Sequence, residues 1–104
     1  MADERSKRTT EVIDKPEQEA KQPVLFRVIL HNDDYTTMEF VVEVLENVFL
    51  MHPAQAYRVM LQVHNHGRGV CGVYPLEIAE TKVVVVHRLA RERGFPLMAS
   101  VEQA

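Results

Sequence analysis

Large apolar side chains are scarce in the first 23 residues of the chain and abundant from Val24 onward. Residues 1–23 carry five Lys or Arg and six Asp or Glu and contain no aromatic residue. Such a segment cannot bury enough surface to offset the entropy it would lose on ordering. We therefore predict a flexible, disordered extension over residues 1–23 and one small folded domain over residues 24–104.

The composition excludes several classes of protein. A net charge of −3 argues against broad affinity for nucleic acid or anionic membranes. No apolar run approaches the roughly 18 residues of a bilayer-spanning helix. Cys71 is the single cysteine and cannot form an internal disulfide, and no secretory segment is recognised at the start. We expect a cytoplasmic monomer that binds neither nucleic acid nor membrane.

The first half of the predicted domain begins with a strand. Residues Val24–His31 are rich in Val, Ile, Leu and Phe, and a polar loop over residues 32–36 follows. Thr36 and Glu39 stand in the S/T-x-x-E relation of a capping box, which predicts the start of a helix. Apolar residues at helical spacing extend this helix to about Met51.

In the second half of the predicted domain, helices alternate with strands. Pro53 is placed to open a second helix and Gly67 to end it. Arg68–Tyr74 is typical of a short strand, a third helix ends at Gly94, and the alternation over Phe95–Val101 predicts an edge strand.

One segment carries conflicting signals. The run Val83–Val86 favours a strand by local propensity, but the charged residues on both sides, the length of the segment and Gly94 favour a helix. With that segment helical, the element order is β-α-α-β-α-β. We predict an α+β two-layer sandwich, in which a three-stranded antiparallel sheet carries three helices on one face.

Side chains that can accept hydrogen bonds stand before the first predicted helix and at the end of the second. Asn32 and Asp33 come directly after the first strand, and His64 closes the second helix on the same face as Met60 and Val63, at i, i+3 and i+4. An amide oxygen, a carboxylate and a neutral imidazole suit an ammonium group, which donates three hydrogen bonds. If these three acceptors lie beside an apolar pocket, the site suits the N-terminal residue of a protein, which has both an ammonium group and a side chain.

Four segments then resemble the motifs of the ClpS adaptor family, in order and without obvious gaps from about Val24 to Ala104. They are Asn32–Thr36 with Met38–Phe40, Met60–His64, Cys71–Val73 with Glu77–Val83, and Pro96–Leu97. The resemblance implies a bacterial, non-enzymatic adaptor without cofactor or metal. Members of the family bind N-degron substrates, which begin with Leu, Phe, Tyr or Trp, and deliver them to the AAA+ unfoldase ClpA and its peptidase ClpP.

The resemblance also implies roles for individual residues. The substrate α-amino group would be bound by Asn32, Asp33 and His64. The pocket for the first side chain would be formed by Met38, Val41, Met60, Val63 and Leu97. The rim of this pocket would be shaped by Asp34 and Thr36. The N-terminal domain of the unfoldase would contact Glu77, Glu80 and Lys82, and the unfoldase would engage residues 1–23 during handover.

Two positions depart from the family pattern. Many members have Pro where this chain has Thr37, and Pro would preset the first helical turn, so the gate formed by Met38 is expected to be slightly looser here. His31 stands where the family usually has an apolar residue.

Other interpretations of these residues remain open. Asn32–Asp34 is also typical of an Asx turn, the apolar pocket residues of ordinary core, and the charges after Pro75 of a solvated helix face. A metal-dependent hydrolase would use His64 and His66 with Asp33, Asp34 or His52, although residues at i, i+2 diverge on a helix. A small RNA-binding module is disfavoured by the net negative charge.

Overall fold

The computed structural model describes residues 22–104, so almost all of the predicted extension over residues 1–23 lies outside the described residues. Six elements follow one another: β1 Leu25–His31, α1 Met38–Asn47, α2 Pro53–His66, β2 Arg68–Pro75, α3 Leu76–Arg93 and β3 Met98–Gln103. Both β2 and β3 pair antiparallel with β1, which lies in the centre of a sheet of order β2-β1-β3. The predicted fold class is confirmed.

The two faces of the sheet differ because side chains alternate along β1. Val28 and Leu30 are fully buried in the main core cluster with apolar residues of all three helices. On the other face, Arg27 forms an ion pair with Glu102 of β3. Farther along that face, the Nε2 atom of His31 lies 2.6 Å from the Ser100 hydroxyl, a cross-strand contact that gives the unusual histidine a structural role.

Strand β2 is irregular and lies close against α2. The register shifts so that Val28 pairs with Gly72 and Ile29 with Val70, which leaves Cys71 as the extra residue of a bulge. A Cβ atom on Gly69 would lie only 2.8 Å from a methyl group of Val63. The absence of a side chain at this position is what allows α2 and β2 to approach so closely.

The start and the end of α1 differ from the prediction. The N-cap is Thr37, whose hydroxyl accepts a hydrogen bond from Phe40 N–H, because the adjacent Thr36 has already turned its own hydroxyl toward Asp33. The capping box at Thr36 and Glu39 was therefore wrong by one residue. The helix ends at Asn47 rather than near Met51, since the chain leaves the helical conformation and reaches a positive φ of 57° at Leu50.

The remaining helices follow the sequence signals. Pro53 is the first residue of α2, and Gly67 and Gly94 end α2 and α3 with φ values of 88° and 77°. The Val83–Val86 run is helical, as predicted. It lies within α3, where the spacing of Ala79, Val86 and Ala90 places one buried face on the sheet.

The last strand starts later than predicted. Phe95 N–H still donates to the Ala90 carbonyl, and Pro96 has no N–H that could donate to a neighbouring strand. For these reasons β3 begins at Met98 instead of Phe95. Within residues 22–104, no helix combines the length and apolar character that crossing a bilayer would require.

Candidate functional site

The polar loop after β1 is tied to the end of α2. Antiparallel pairing places His31 opposite Arg68, and the next residue, Asn32, donates its N–H to the Gly67 carbonyl at 2.9 Å. Gly67 follows α2 directly, and His64 lies one turn before it. The sheet register and this hydrogen bond therefore bring His64, which is 32 residues farther along the chain, beside Asn32.

Asp33 organises the loop. One oxygen of its carboxylate accepts the N–H groups of Tyr35 at 2.8 Å and Thr36 at 2.7 Å, and the other accepts the Thr36 hydroxyl at 2.7 Å. This is the Asx turn that the sequence left open as an alternative. The turn does not exhaust the carboxylate, because its two oxygens offer about four acceptor sites and only three are used.

The charge of Asp33 is retained and is not neutralised by a cation. Partial desolvation raises the pKa of this carboxyl, but the hydrogen bonds from Thr36 and Tyr35 outweigh it and leave the pKa below its ordinary value. All three donors are neutral groups. The ion pairs within residues 22–104 involve other carboxylates, those of Glu43 and Glu102. An ammonium group arriving from outside would find this negative charge available.

A cavity of about 200 Å³ opens between this loop and the first two helices. Its lining combines polar groups on one side with apolar side chains on the other: Asn32, Asp33, Asp34, Thr36, Met38, Val41, Met60, Val63 and His64. Drug-sized ligands generally occupy about 300–1,000 Å³, so this volume suits a single amino-acid side chain. Among residues 22–104, two larger hollows have acidic and apolar lining residues but no histidine, and one of similar size has a histidine but no acidic residue.

Exposure differs sharply along the apolar wall. Val41, Met60 and Val63 are buried, whereas Met38, the first residue of α1, is 45% exposed at the entrance. A methionine side chain is flexible and adapts to different neighbours. The arrangement gives the cavity a fixed base and one adjustable side.

Leu97 is the predicted pocket residue that does not line this cavity. It is buried in the main core and lines a different hollow, with His87 and Phe95. The nine other predicted amine, pocket and rim residues, including Asn32 and His64, meet in the 200 Å³ cavity. Contact of Leu97 with a substrate stays a prediction.

The predicted unfoldase residues lie on α3, apart from the cavity. Glu77 and Lys82 line a wide groove between α3 and the end of α1, and Glu80 is exposed nearby. Lys82 also has an internal role that the sequence did not predict. Its ammonium group donates to the Val48 carbonyl at 2.8 Å, which satisfies a free acceptor at the end of α1.

The metal hypothesis receives no support from the geometry. Within residues 22–104, no group of three His, Cys, Asp or Glu side chains is arranged to hold a metal ion. Cys71 is buried, and desolvation raises the pKa of its thiol to about 12, so it is not an activated nucleophile.

Comparisons with known proteins identify the family. A family model described as "ATP-dependent Clp protease adaptor protein ClpS" matches residues 10–100. The chain belongs to the ClpS family. The ClpS protein of Desulfatibacillum aliphaticivorans is 54% identical over 92 residues and that of Shewanella piezotolerans 47% identical over 100 residues. The alignments cover 88% of this chain and 88% of the first relative, and 96% of this chain and 98% of the second.

A solved ClpS structure has the same fold. The structure of Agrobacterium tumefaciens ClpS2 bound to L-phenylalaninamide is 44% identical and superposes with a TM-score of 0.77, covering 80% of this chain and 100% of that chain. The chain is thus an adaptor of the Clp protease system. ClpS proteins deliver substrates and are not enzymes, which confirms the expectation of a non-enzymatic protein.

Proposed function

We propose that this ClpS protein recognises N-degrons by binding the free α-amino group and the bulky first side chain of proteins that begin with Leu, Phe, Tyr or Trp. The observation that carries the proposal is the 200 Å³ cavity, where an unneutralised carboxylate and further acceptors face buried apolar side chains. The ligand named for the Agrobacterium relative, L-phenylalaninamide, has the same two parts, an amine and an apolar side chain.

The binding energy is divided between the two ends of the substrate residue. Asn32, Asp33 and His64 accept hydrogen bonds from the ammonium group, each worth about 1.5–3 kcal/mol when one partner is charged. Burial of a Leu or Phe side chain among Val41, Met60 and their neighbours adds about 1.5–3 kcal/mol. Association itself costs roughly 4–15 kcal/mol, so a ligand is expected to bind well only if it carries both the ammonium group and the apolar side chain.

We also propose that α3 faces the unfoldase. Glu77, Glu80 and Lys82 would contact the N-terminal domain of a ClpA-type AAA+ unfoldase, and residues 1–23 would be engaged during transfer to the unfoldase with its ClpP peptidase. The open groove beside Glu77 and Lys82 supports this proposal, since it presents apolar and charged groups together. We further propose that the protein acts as a monomer in the cytoplasm.

A pair of peptides tests the amine site. We expect a fluorescent peptide that starts with Leu or Phe to bind the full chain, and its N-acetylated twin to bind at least about tenfold more weakly, because acetylation removes the charge and two donors. Fluorescence anisotropy measures both affinities. Equal affinities would refute the proposed function.

Asp33→Asn is the cleaner variant at this site. Replacement by Ala would remove three loop hydrogen bonds together with the charge, whereas Asn keeps an acceptor for Tyr35 and Thr36 N–H. We expect Asp33→Asn to melt within a few degrees of the parent and to bind at least about tenfold more weakly. Glu80→Gln, a charge removed from exposed α3, is the control and should bind normally. Tight binding by Asp33→Asn would mean that another group holds the ammonium.

A further inference from the structure

A second hollow adjoins the amine cavity and is formed by residues of α1 and α2. It is about 620 Å³ in volume and is lined by Met38, Glu39, Val42, Tyr57 and Met60. Met38 and Met60 also line the amine cavity, so these two methionines form a wall that the two hollows share. A ligand that leaves the smaller cavity past this wall arrives at the larger one.

The lining of the second hollow is suited to an apolar side chain. Tyr57 is 55% exposed although it lies on α2 one turn before Met60, on the same helical face. Exposed Met38 and half-buried Val42 lie beside it on α1. Apolar surface grouped in this way at a concave site generally marks a place of interaction, and tyrosine presents a large rigid apolar face at little entropic cost.

We propose that this second hollow binds an apolar or aromatic side chain from the second or third residue of the same substrate. The proposal rests on the proposed function, because it takes the first substrate residue to lie in the amine cavity. An extended chain advances about 3.3 Å per residue. A substrate chain that leaves the amine cavity past the shared wall of Met38 and Met60 therefore carries its second and third residues to the second hollow. Tyr57 then becomes a residue that determines specificity without touching the α-amino group.

The ligand named for the Agrobacterium relative leaves this hollow untested. L-Phenylalaninamide is a single amino-acid amide and carries no second side chain. The comparison therefore concerns the first substrate residue alone. Recognition beyond that residue has to be measured with longer peptides.

Three labelled peptides of equal length test the proposal on the full chain. All begin with Leu; one has Ser at positions two and three, one has Phe at position two, and one has Phe at position three. We expect one of the Phe peptides to bind about threefold to tenfold more tightly than the Ser peptide, the effect of partly burying an aromatic side chain. In Tyr57→Ala we expect this gain to fall below about twofold while the Ser peptide binds as before.

Two control variants separate the hollow from the rest of the surface. Tyr57→Phe keeps the apolar face and should keep the gain. Val84→Ala removes another exposed apolar side chain, on α3 and outside the hollow, and should also keep it.

The outcomes distinguish the two proposals. Equal affinity for all three Leu peptides, with the acetylated Leu peptide still rejected, would overturn the second hollow and leave the amine site intact. If Tyr57→Ala weakens the Ser peptide as much as the Phe peptides, Tyr57 supports the first cavity and the downstream role is wrong. If acetylation changes nothing, the proposed function itself fails.

Discussion

His64 must accept a hydrogen bond if it helps to hold a substrate ammonium group. We expect His64→Ala, which removes this acceptor, to bind a Leu peptide about threefold to tenfold more weakly. The carboxylate of Asp33, whose lowered pKa keeps it ionised at neutral pH, remains to hold the charge. Fluorescence anisotropy measures the affinities.

The matched variant for this prediction is His64→Gln, since an amide oxygen also accepts a hydrogen bond. We expect it to keep most of the affinity that His64→Ala loses. Unchanged affinity of His64→Ala would mean that the imidazole is not an acceptor. Equal losses in the two variants would mean that the ring itself, and not its acceptor, supports binding.

Met38 is the residue expected to reject β-branched first residues. It is half-exposed at the cavity entrance, whereas Met60 is buried. The stiff χ1 of Ile or Val leaves such a side chain little freedom to turn away from Met38. We expect Met38→Ala to bring the affinities of Ile and Val peptides within about tenfold of that of a Leu peptide. Anisotropy with the three peptides measures this. If Met38→Ala rejects Ile and Val peptides as strongly as the parent does, Met38 is not the gate.

At the scale of elements, β2 contains two glycines whose replacement by Ala should destabilise the fold to different extents. A Cβ on Gly69 meets a methyl group of buried Val63, which lines the amine cavity, whereas a Cβ on Gly72 meets the ring of half-exposed Tyr74. We expect Gly69→Ala to lower the free energy of unfolding by about 1–3 kcal/mol and to weaken peptide binding. Gly72→Ala should cost less, because the Tyr74 ring can swing outward. Urea denaturation compares the two, and equal costs would contradict this account.

Lys82 links α3 to α1, and this role has to be separated from any contact with the unfoldase. Its ammonium group caps the Val48 carbonyl and lies 6.0 Å and 5.7 Å from the ring centroids of Phe49 and Tyr74. We expect Lys82→Met to lower the free energy of unfolding by about 1 kcal/mol. Glu80→Gln, which changes an exposed residue, should leave it unchanged.

The partner measurement is made well below the melting temperature of both variants. Reduced affinity of Lys82→Met and of Glu80→Gln for the isolated unfoldase N-terminal domain would support a direct α3 contact. A loss confined to Lys82→Met would instead indicate that only the link between the helices matters.

The sequence predicted the elements better than their ends. The helix through Val83–Val86 was predictable because the charged residues on both sides and the glycine that ends it outweigh the preference of valine for strands. The N-cap was not, because Thr36 and Thr37 are chemically alike and only the Asp33 turn decides which one caps α1. The end of α1 was missed because the chain reaches a positive φ at a leucine instead of a glycine.

The candidate site was predicted as a set of residues, but the resemblance to a family was needed to group them. Asn32 and His64 are brought together by the register of β1 with β2 and by the bond to Gly67, which no local pattern encodes. Leu97 shows the limit of this reasoning, since its place in the core depends on where the chain runs after α3.

At the scale of the whole molecule, two candidate surfaces are carried by different parts of the fold. The amine cavity is built from the loop after β1, from α1 and from α2, and within the described residues it shares no lining residue with the groove between α3 and the end of α1. Peptide binding and delivery should therefore be separable by mutation.

Deletion of residues 1–20 tests whether the N-terminal segment belongs to delivery alone. The deletion leaves every lining residue of the amine cavity and of the α3 groove in place, so we expect affinity for a Leu peptide to stay within about twofold of the parent. Degradation of a Leu-starting protein by ClpA and ClpP with ATP should fall severalfold, because the unfoldase loses the segment it would engage. A shuffled segment of the same composition separates length from sequence. Unimpaired degradation would make the segment dispensable, and weakened peptide binding would place it at the amine site.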